Sequence, residues 1–180
     1  MPEPFSGTTT HSPITHHILS VLVENKAGVL ARVAGLFSRR SFNIFSLAVA
    51  PADAHERFSR ITIVVDAESA PLEQVVGQLN KLINVVEIRD LGSNEALERE
   101  LLLATVHVPH LERDHLLESV ADAGASVVDI SDDAVTLTLS GTPMALNSFE
   151  AMLAQRYPRC EIQRTGRVAL PRLNNSATTA

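Results

Sequence analysis

One order of elements, strand–helix–strand–strand–helix–strand, can be read twice along this 180-residue chain, and that duplication constrains the fold more than any other feature. In the first copy, His17–Glu24 (HILSVLVE) is a short apolar strand with Leu19, Val21 and Val23 on one side. Asn25–Gly28 breaks the run. Val29–Arg40 then carries apolar residues at 29, 30, 33, 36 and 37, a helical spacing with one buried stripe. Phe42–Ala50 and Phe58–Asp66 are strands joined by a polar turn containing Pro51 and Asp53. Pro71–Leu82 is a helix with proline suited to its first turn, and Val85–Leu91 closes the copy as a strand. The second copy runs through a strand at Leu101–Val108, a helix at Leu111–Ala123, strands at Ser126–Ile130 and Val135–Ser140, a helix at Pro143–Leu153 and a last strand at Cys160–Arg164. The first strands of the two copies begin about 83 residues apart, with Gly92–Glu98 as the link. The fold class is therefore α+β: two tandem ferredoxin-like βαββαβ units, each an antiparallel sheet with its helices on one face. Residues 16–92 form the first unit and 93–173 the second, between a polar extension at 1–15 and a tail at 174–180 that both read as flexible.

Composition removes several classes of function. A net charge of -6 with no concentrated basic face argues against nucleic acid. The single cysteine, Cys160, allows no intrachain disulfide and no Cys-based zinc site, and reads as a buried thiol. No apolar run approaches the length of a membrane helix, and the first Lys or Arg is Lys26, so no positive leader precedes an apolar core. The expected location is the cytoplasm, with no membrane partner. An open edge or bare sheet face in units this small invites pairing, so a dimer or larger assembly is expected.

No catalytic constellation stands out. His107, His110 and His115 are close in sequence but fall on a strand, a turn and a helix, without a metal-binding frame. Asp129, Asp132 and Asp133 occupy a hairpin turn, where Asp is common. Arg32, Arg39 and Arg40 share a helix and its end; they fit a solvated face, or a contact with a partner or an anion.

The segment Leu22–Leu30 (LVENKAGVL) is more informative, because it links a strand directly to a helix N-terminus. Unpaired backbone N–H groups and a partial positive charge there can hold a carboxylate. Gly28 lets a ligand approach the backbone, and Asn25 carries both acceptor and donor groups. The aliphatic flank suits a small apolar amino acid. The same residues also serve simpler purposes: Asn commonly caps a helix, and Gly commonly makes a turn. Asn43 likewise fits a turn bond, or a ligand contact if it faces Asn25 and Gly28 across an interface.

The run His17–Ala50 (HILSVLVENKAGVLARVAGLFSRRSFNIFSLAVA) closely resembles the start of the small, regulatory subunits of acetolactate synthase. Ser59–Val65 (SRITIVV), Leu79–Val86 (LNKLINVV), Glu98–Leu101 (EREL) and Arg164–Leu170 (RTGRVAL) extend the likeness over residues 16 to 172. The resemblance implies that the first unit is an ACT domain and the second a ferredoxin-like domain. It implies a non-catalytic chain that pairs through its ACT domains and activates a catalytic large subunit. That subunit would carry the thiamine diphosphate, Mg and FAD, with no cofactor in this chain. Feedback by valine or a related branched-chain amino acid is implied, in the biosynthesis of valine, leucine and isoleucine. The effector would sit between two ACT domains, against Asn25, Lys26, Ala27, Gly28, Val29 and Leu30 of one copy and Asn43 and Ile44 of the other. The corresponding turn in the second unit, Val108-Pro109-His110-Leu111, has no glycine, so one kind of effector site is expected.

Two positions depart from the family. Ser41 stands where glycine is usual, while the second unit keeps Gly124 at the matching place. Phe45 replaces a usual acidic residue, with consequences expected for effector strength or for the surface that meets the catalytic subunit. Gly28→Asp is expected to abolish feedback and preserve folding, by placing a carboxylate where the effector's own must lie. The competing readings are a free-standing amino-acid-sensing ACT module, which would not need the second unit, and an enzyme in its own right.

Overall fold

The computed structural model of the chain describes residues 16–39, 42–66, 72–92 and 95–173. The expected extension at 1–15, the tail at 174–180, and Arg40, Ser41 and Pro71 lie outside the described residues. The first unit comprises β1 (His16–Glu24), α1 (Val29–Arg39), β2 (Ile44–Pro51), β3 (Phe58–Asp66), α2 (Leu72–Leu79) and β4 (Val85–Leu91). The second comprises β5 (Ala96–His107), α3 (Arg113–Asp122), β6 (Ser126–Ile130), β7 (Ala134–Gly141), α4 (Pro143–Arg156), β8 (Cys160–Arg164) and β9 (Val168–Pro171). Two antiparallel sheets result, ordered β2-β3-β1-β4 and β6-β7-β5-β8. Two tandem α+β units of the expected class are present. Among the described residues, no helix is long and apolar enough to cross a membrane.

Strand alternation places each core. Leu19, Val21 and Val23 of β1 meet Ile61, Ile63 and Val65 of β3, and Val29, Val33 and Phe37 of α1 cover them with Val75 and Leu79 of α2. In the second unit, Leu102, Ala104 and Val106 of β5 pack with Val135 and Leu137 of β7 under Leu116 and Val120 of α3 and Leu146, Phe149 and Leu153 of α4. Thr142 caps α4, its hydroxyl accepting from the Ala145 N–H at 3.2 Å, with Pro143 next in line. Both first helices end alike. Phe42 N–H donates to the Phe37 carbonyl at 3.1 Å, and Ala125 N–H to that of Val120 at 3.0 Å. Gly124 takes φ +77° in the second of these closures.

The boundaries correct the sequence reading in several places. β2 begins at Ile44, not Phe42, because Phe42 is buried closing α1, edge-on to Phe37 with ring centroids 6.2 Å apart. α2 stops at Leu79, and shorter-range backbone bonds at Lys81 and Leu82 tighten the chain toward β4. In the second unit, His110–Glu112 is a separate 3-10 turn ahead of α3, and α4 runs on to Arg156.

The larger correction concerns the link. Ala96–Glu98 are not a linker. They form the start of the 12-residue β5, and their partner is β9, a strand after the supposed last one. This two-stranded ribbon lies on the helix-free face of the first sheet. Ala96 and Ala169 pack there against Ile18, Val64 and Leu91, the outward residues of β1, β3 and β4. The two units thus share an apolar seam.

Candidate functional site

The turn between β1 and α1 is held by two segments distant in sequence. Glu24 N–H donates to the Asn84 carbonyl at 2.9 Å, and Asn25 N–H to that of Arg57 at 2.8 Å. The Asn25 side-chain amide donates to the Glu56 carbonyl at 2.8 Å, leaving its oxygen to accept and its second hydrogen to donate. Glu56 itself sits at φ +52°, in the left-handed region uncommon outside glycine. Asp53 fixes that turn by accepting from Phe58 N–H at 2.9 Å and from Arg57 Nε at 3.1 Å. The Phe58 N–H, and then Arg57, hold the Asp53 carboxyl below its ordinary range. A hairpin 30 residues downstream in the chain therefore positions Asn25, a dependence no local pattern displays.

A polar chain flanks the turn on its other side. Asn84 Nδ2 donates to Glu24 Oε2 at 2.6 Å, Lys26 Nζ lies 3.0 Å from the same oxygen, and Arg32 donates to Asn84 Oδ1 at 2.9 Å. The Asn84 amide, and then Lys26, hold Glu24 below the ordinary carboxylate range. Lys26 is therefore an anchor of Glu24. Arg32 is likewise tied to Asn84 rather than merely solvated, while Arg40 lies outside the described residues.

Ala27 and Gly28 are exposed, Val29 is buried in the first core, and Leu30 is 41% exposed on the flank of α1. Gly28 takes φ +81°, and a Cβ there would meet only an Arg32 guanidinium nitrogen, at 4.0 Å. The space is open, but the backbone is not one that other residues adopt cheaply. This corrects the expectation that Gly28→Asp leaves folding untouched. Gly28→Ala should lower stability by about 1–2 kcal/mol through its left-handed backbone alone. Thermal unfolding checks this, and an unchanged midpoint would show that the turn relaxes.

Asn43 is exposed, and Ile44 is half-buried against the first core at the start of β2. They lie at the far end of α1 from Gly28. An 11-residue helix rises about 16 Å. The structure therefore brings Asn25–Leu30 together at one end of α1 and places Asn43 and Ile44 at the other. β2 is the edge of its sheet. Its Leu47 and Val49 pair opposite the core residues Ile63 and Ile61, on the helix side, yet remain 36% and 46% exposed.

The remaining candidates do not converge. Among the described residues, no group of three or more His, Cys, Asp or Glu could hold a metal ion. His107 lies 4.0 Å from Asp133, with His110 and His115 on the following turn and helix. Cys160 is half-buried, and burial, followed by the Glu150 charge, pushes its thiol pKa up, away from reactivity.

Residues 19–87 match the family described as the AHAS small subunit-like ACT domain, and residues 99–173 the family described as the small subunit of acetolactate synthase. The chain belongs to the acetolactate synthase small-subunit family. That family is the regulatory, non-catalytic component of the enzyme. The acetolactate synthase small subunit of Mycolicibacterium smegmatis is 44% identical over 167 residues, covering 93% of this chain and 94% of that protein. The Mycobacterium bovis small subunit is 46% identical over 161 residues, covering 89% and 94%. The crystal structure of the small subunit from Thermotoga maritima superposes with a TM-score of 0.81 at 32% identity, covering 89% of this chain and 99% of that one. The first matched segment contains the whole Asn25–Ile44 stretch.

Proposed function

We propose that this small subunit binds a branched-chain amino acid, with valine the leading candidate, between the ACT domains of two copies. Occupancy of that site then restrains the catalytic large subunit of acetolactate synthase, which the chain otherwise activates. The carrying observation is the placement of Asn25 and Gly28 at one end of α1 and Asn43 at the other, beside an open sheet edge. A two-fold axis perpendicular to that edge strand sets each end of α1 against the opposite end of its mate. It also covers Leu30, Leu47 and Val49, which water otherwise touches. At such a junction the effector's carboxylate meets the helix N-terminus beside Gly28, and its ammonium meets the Asn25 and Asn43 side-chain oxygens. The aliphatic side chain lies along Leu30 and Ile44.

In this reading the chain holds no cofactor, and thiamine diphosphate, Mg and FAD belong to the large subunit. It works in the cytoplasm in the synthesis of valine, leucine and isoleucine, without nucleic acid or membrane partners. The match of residues 99–173 to a family named for acetolactate synthase favours this over a free-standing ACT module. Titration calorimetry of the purified chain with valine, leucine and isoleucine tests the reading. Saturable binding at one site per ACT domain, or per pair of them, is expected, and no heat with any of the three would overturn it.

A further inference from the structure

Beyond the seam, the two units also meet on the strand that Asn43 leads into. The register of β2 against β3 shifts between Ile44 and Ser46, so Phe45 is the extra residue of a bulge. Its ring stacks at 4.4 Å on His16 and lies 4.8 Å from the Arg167 guanidinium. The next residue, Ser46, accepts from the Arg167 N–H at 2.9 Å through its hydroxyl. Gly166 takes φ +83°, and a Cβ there would stand 3.0 Å from Ser46 Oγ and 3.2 Å from the Leu47 carbonyl oxygen. Only glycine allows this corner to come so close to β2. Arg167 is 8% exposed and reaches Glu98 of β5 at 3.3 Å, while its buried Nε has no hydrogen-bond partner among the described residues. An incompletely satisfied buried cation is a contact that costs little to release.

The two junctions differ in kind. The seam of Ile18, Val64, Leu91, Ala96 and Ala169 is apolar and sits over β1, β3 and β4. The Gly166–Arg167 corner is polar and grips only β2, the edge strand. A seam over three strands of a sheet and a releasable grip on the fourth, at the far edge, make a pivot and a lever. We propose that Phe45, Ser46, Gly166 and Arg167 form the latch through which effector occupancy at Asn43 tilts the second unit about the seam. This rests on the effector reading above. A ligand that engages Asn43 draws on Ile44 and the bulge, and the latch converts that displacement into a change in the angle between units. The ligand favours the tilted arrangement only by its difference in affinity for the two states.

The test uses the full chain, alone and with its catalytic subunit, comparing wild type with Ser46→Ala/Arg167→Met. The methionine keeps an unbranched stem over Phe45 while removing the cation. Valine binding by calorimetry is expected to stay within about threefold, while the concentration for half-inhibition of the complex rises by about tenfold or more. Spin labels at Gln74 on α2 and Ser148 on α4, both exposed, with Cys160→Ser, read the angle directly. Valine is expected to shift their distance distribution in the otherwise wild-type chain and to leave it unmoved in the double variant. Full inhibition in the double variant, or an unmoved distribution in a wild-type chain that valine inhibits, overturns the latch and leaves the effector reading standing. No binding of valine, leucine or isoleucine by wild type overturns both. Should the double variant fold poorly, Phe45→Leu alone must show the same split between binding and inhibition.

Discussion

Arg164→Leu is expected to destabilise the second unit by about 3–5 kcal/mol, the largest effect of any single substitution considered. Glu100 is 7% exposed, and Arg164 meets it through two nitrogens, Nε to Oε1 at 3.0 Å and the second to Oε2 at 2.6 Å. Its third nitrogen reaches Asn147 at 2.7 Å and Glu150 at 3.2 Å on α4. The pair with Glu100 raises the affinity of the guanidinium for its proton still further. One side chain therefore ties β8 to β5 and to the helix above them. Its removal leaves a buried carboxylate without a counter-charge, and that desolvation, more than the lost attraction, sets the magnitude. A domain has only about 5–15 kcal/mol of stability in total, so the second unit should lose its cooperative urea transition or show it at far lower denaturant. Glu100→Leu added to Arg164→Leu should restore much of the loss. A single-variant change below about 1 kcal/mol would mean that water reaches Glu100 freely.

Asn43→Ala is expected to weaken valine binding by about tenfold to one-hundredfold, the worth of a hydrogen bond to a charged group. Asn43 is exposed and lies outside both cores, so its truncation opens no cavity and should cost no more than about 1 kcal/mol of stability, the worth of one exposed hydrogen bond. This separates it from Gly28 substitutions, where added backbone strain and the proposed loss of ligand contact would act together. Heterodimers of Asn43→Ala with Asn25→Ala chains sharpen the test. If each site draws on both copies, one of the two junctions in such a pair is intact and the other doubly damaged, giving half the sites at wild-type affinity. Two equally weakened sites would instead place Asn25 and Asn43 of one chain around the same ligand.

Much of this was legible in the residues, and what was not has a physical cause. Period-two alternation in Leu19-Val21-Val23 and Ile61-Ile63-Val65 marks strands buried on one face, and those elements lie where the pattern places them. Val33 and Phe37, one turn apart, mark α1 equally well. β9 was missed because it has four residues, ends in proline, and pairs with Ala96–Arg99, half of which is charged. Its burial comes from the outer face of another sheet, which no local window contains. Asn25 and Gly28 were visible as candidates, yet the hold of Glu56 on Asn25 and the Glu24–Asn84–Arg32 chain arise only when segments 30 to 60 residues away fold against them. Phe45 read as a lost charge beside Asn43. The bulge turns it instead toward His16 and Arg167, so its contribution lies in the junction between units.

β5 belongs to both halves of the molecule: Leu102, Ala104 and Val106 build the second core, while Ala96 plugs the back of the first sheet. The boundary between the two family matches, between residues 87 and 99, is therefore not a place where the protein can be cut into working modules. A first unit ending at Leu91 presents Ile18, Val64 and Leu91 to water as a new sticky surface, and a second unit begun at Leu101 loses the strand that pairs β9. Exchange of the ACT half of this chain must carry Ala96–Arg99 and Val168–Pro171 along with the half they cover, so the smallest portable piece is the whole two-sheet chain.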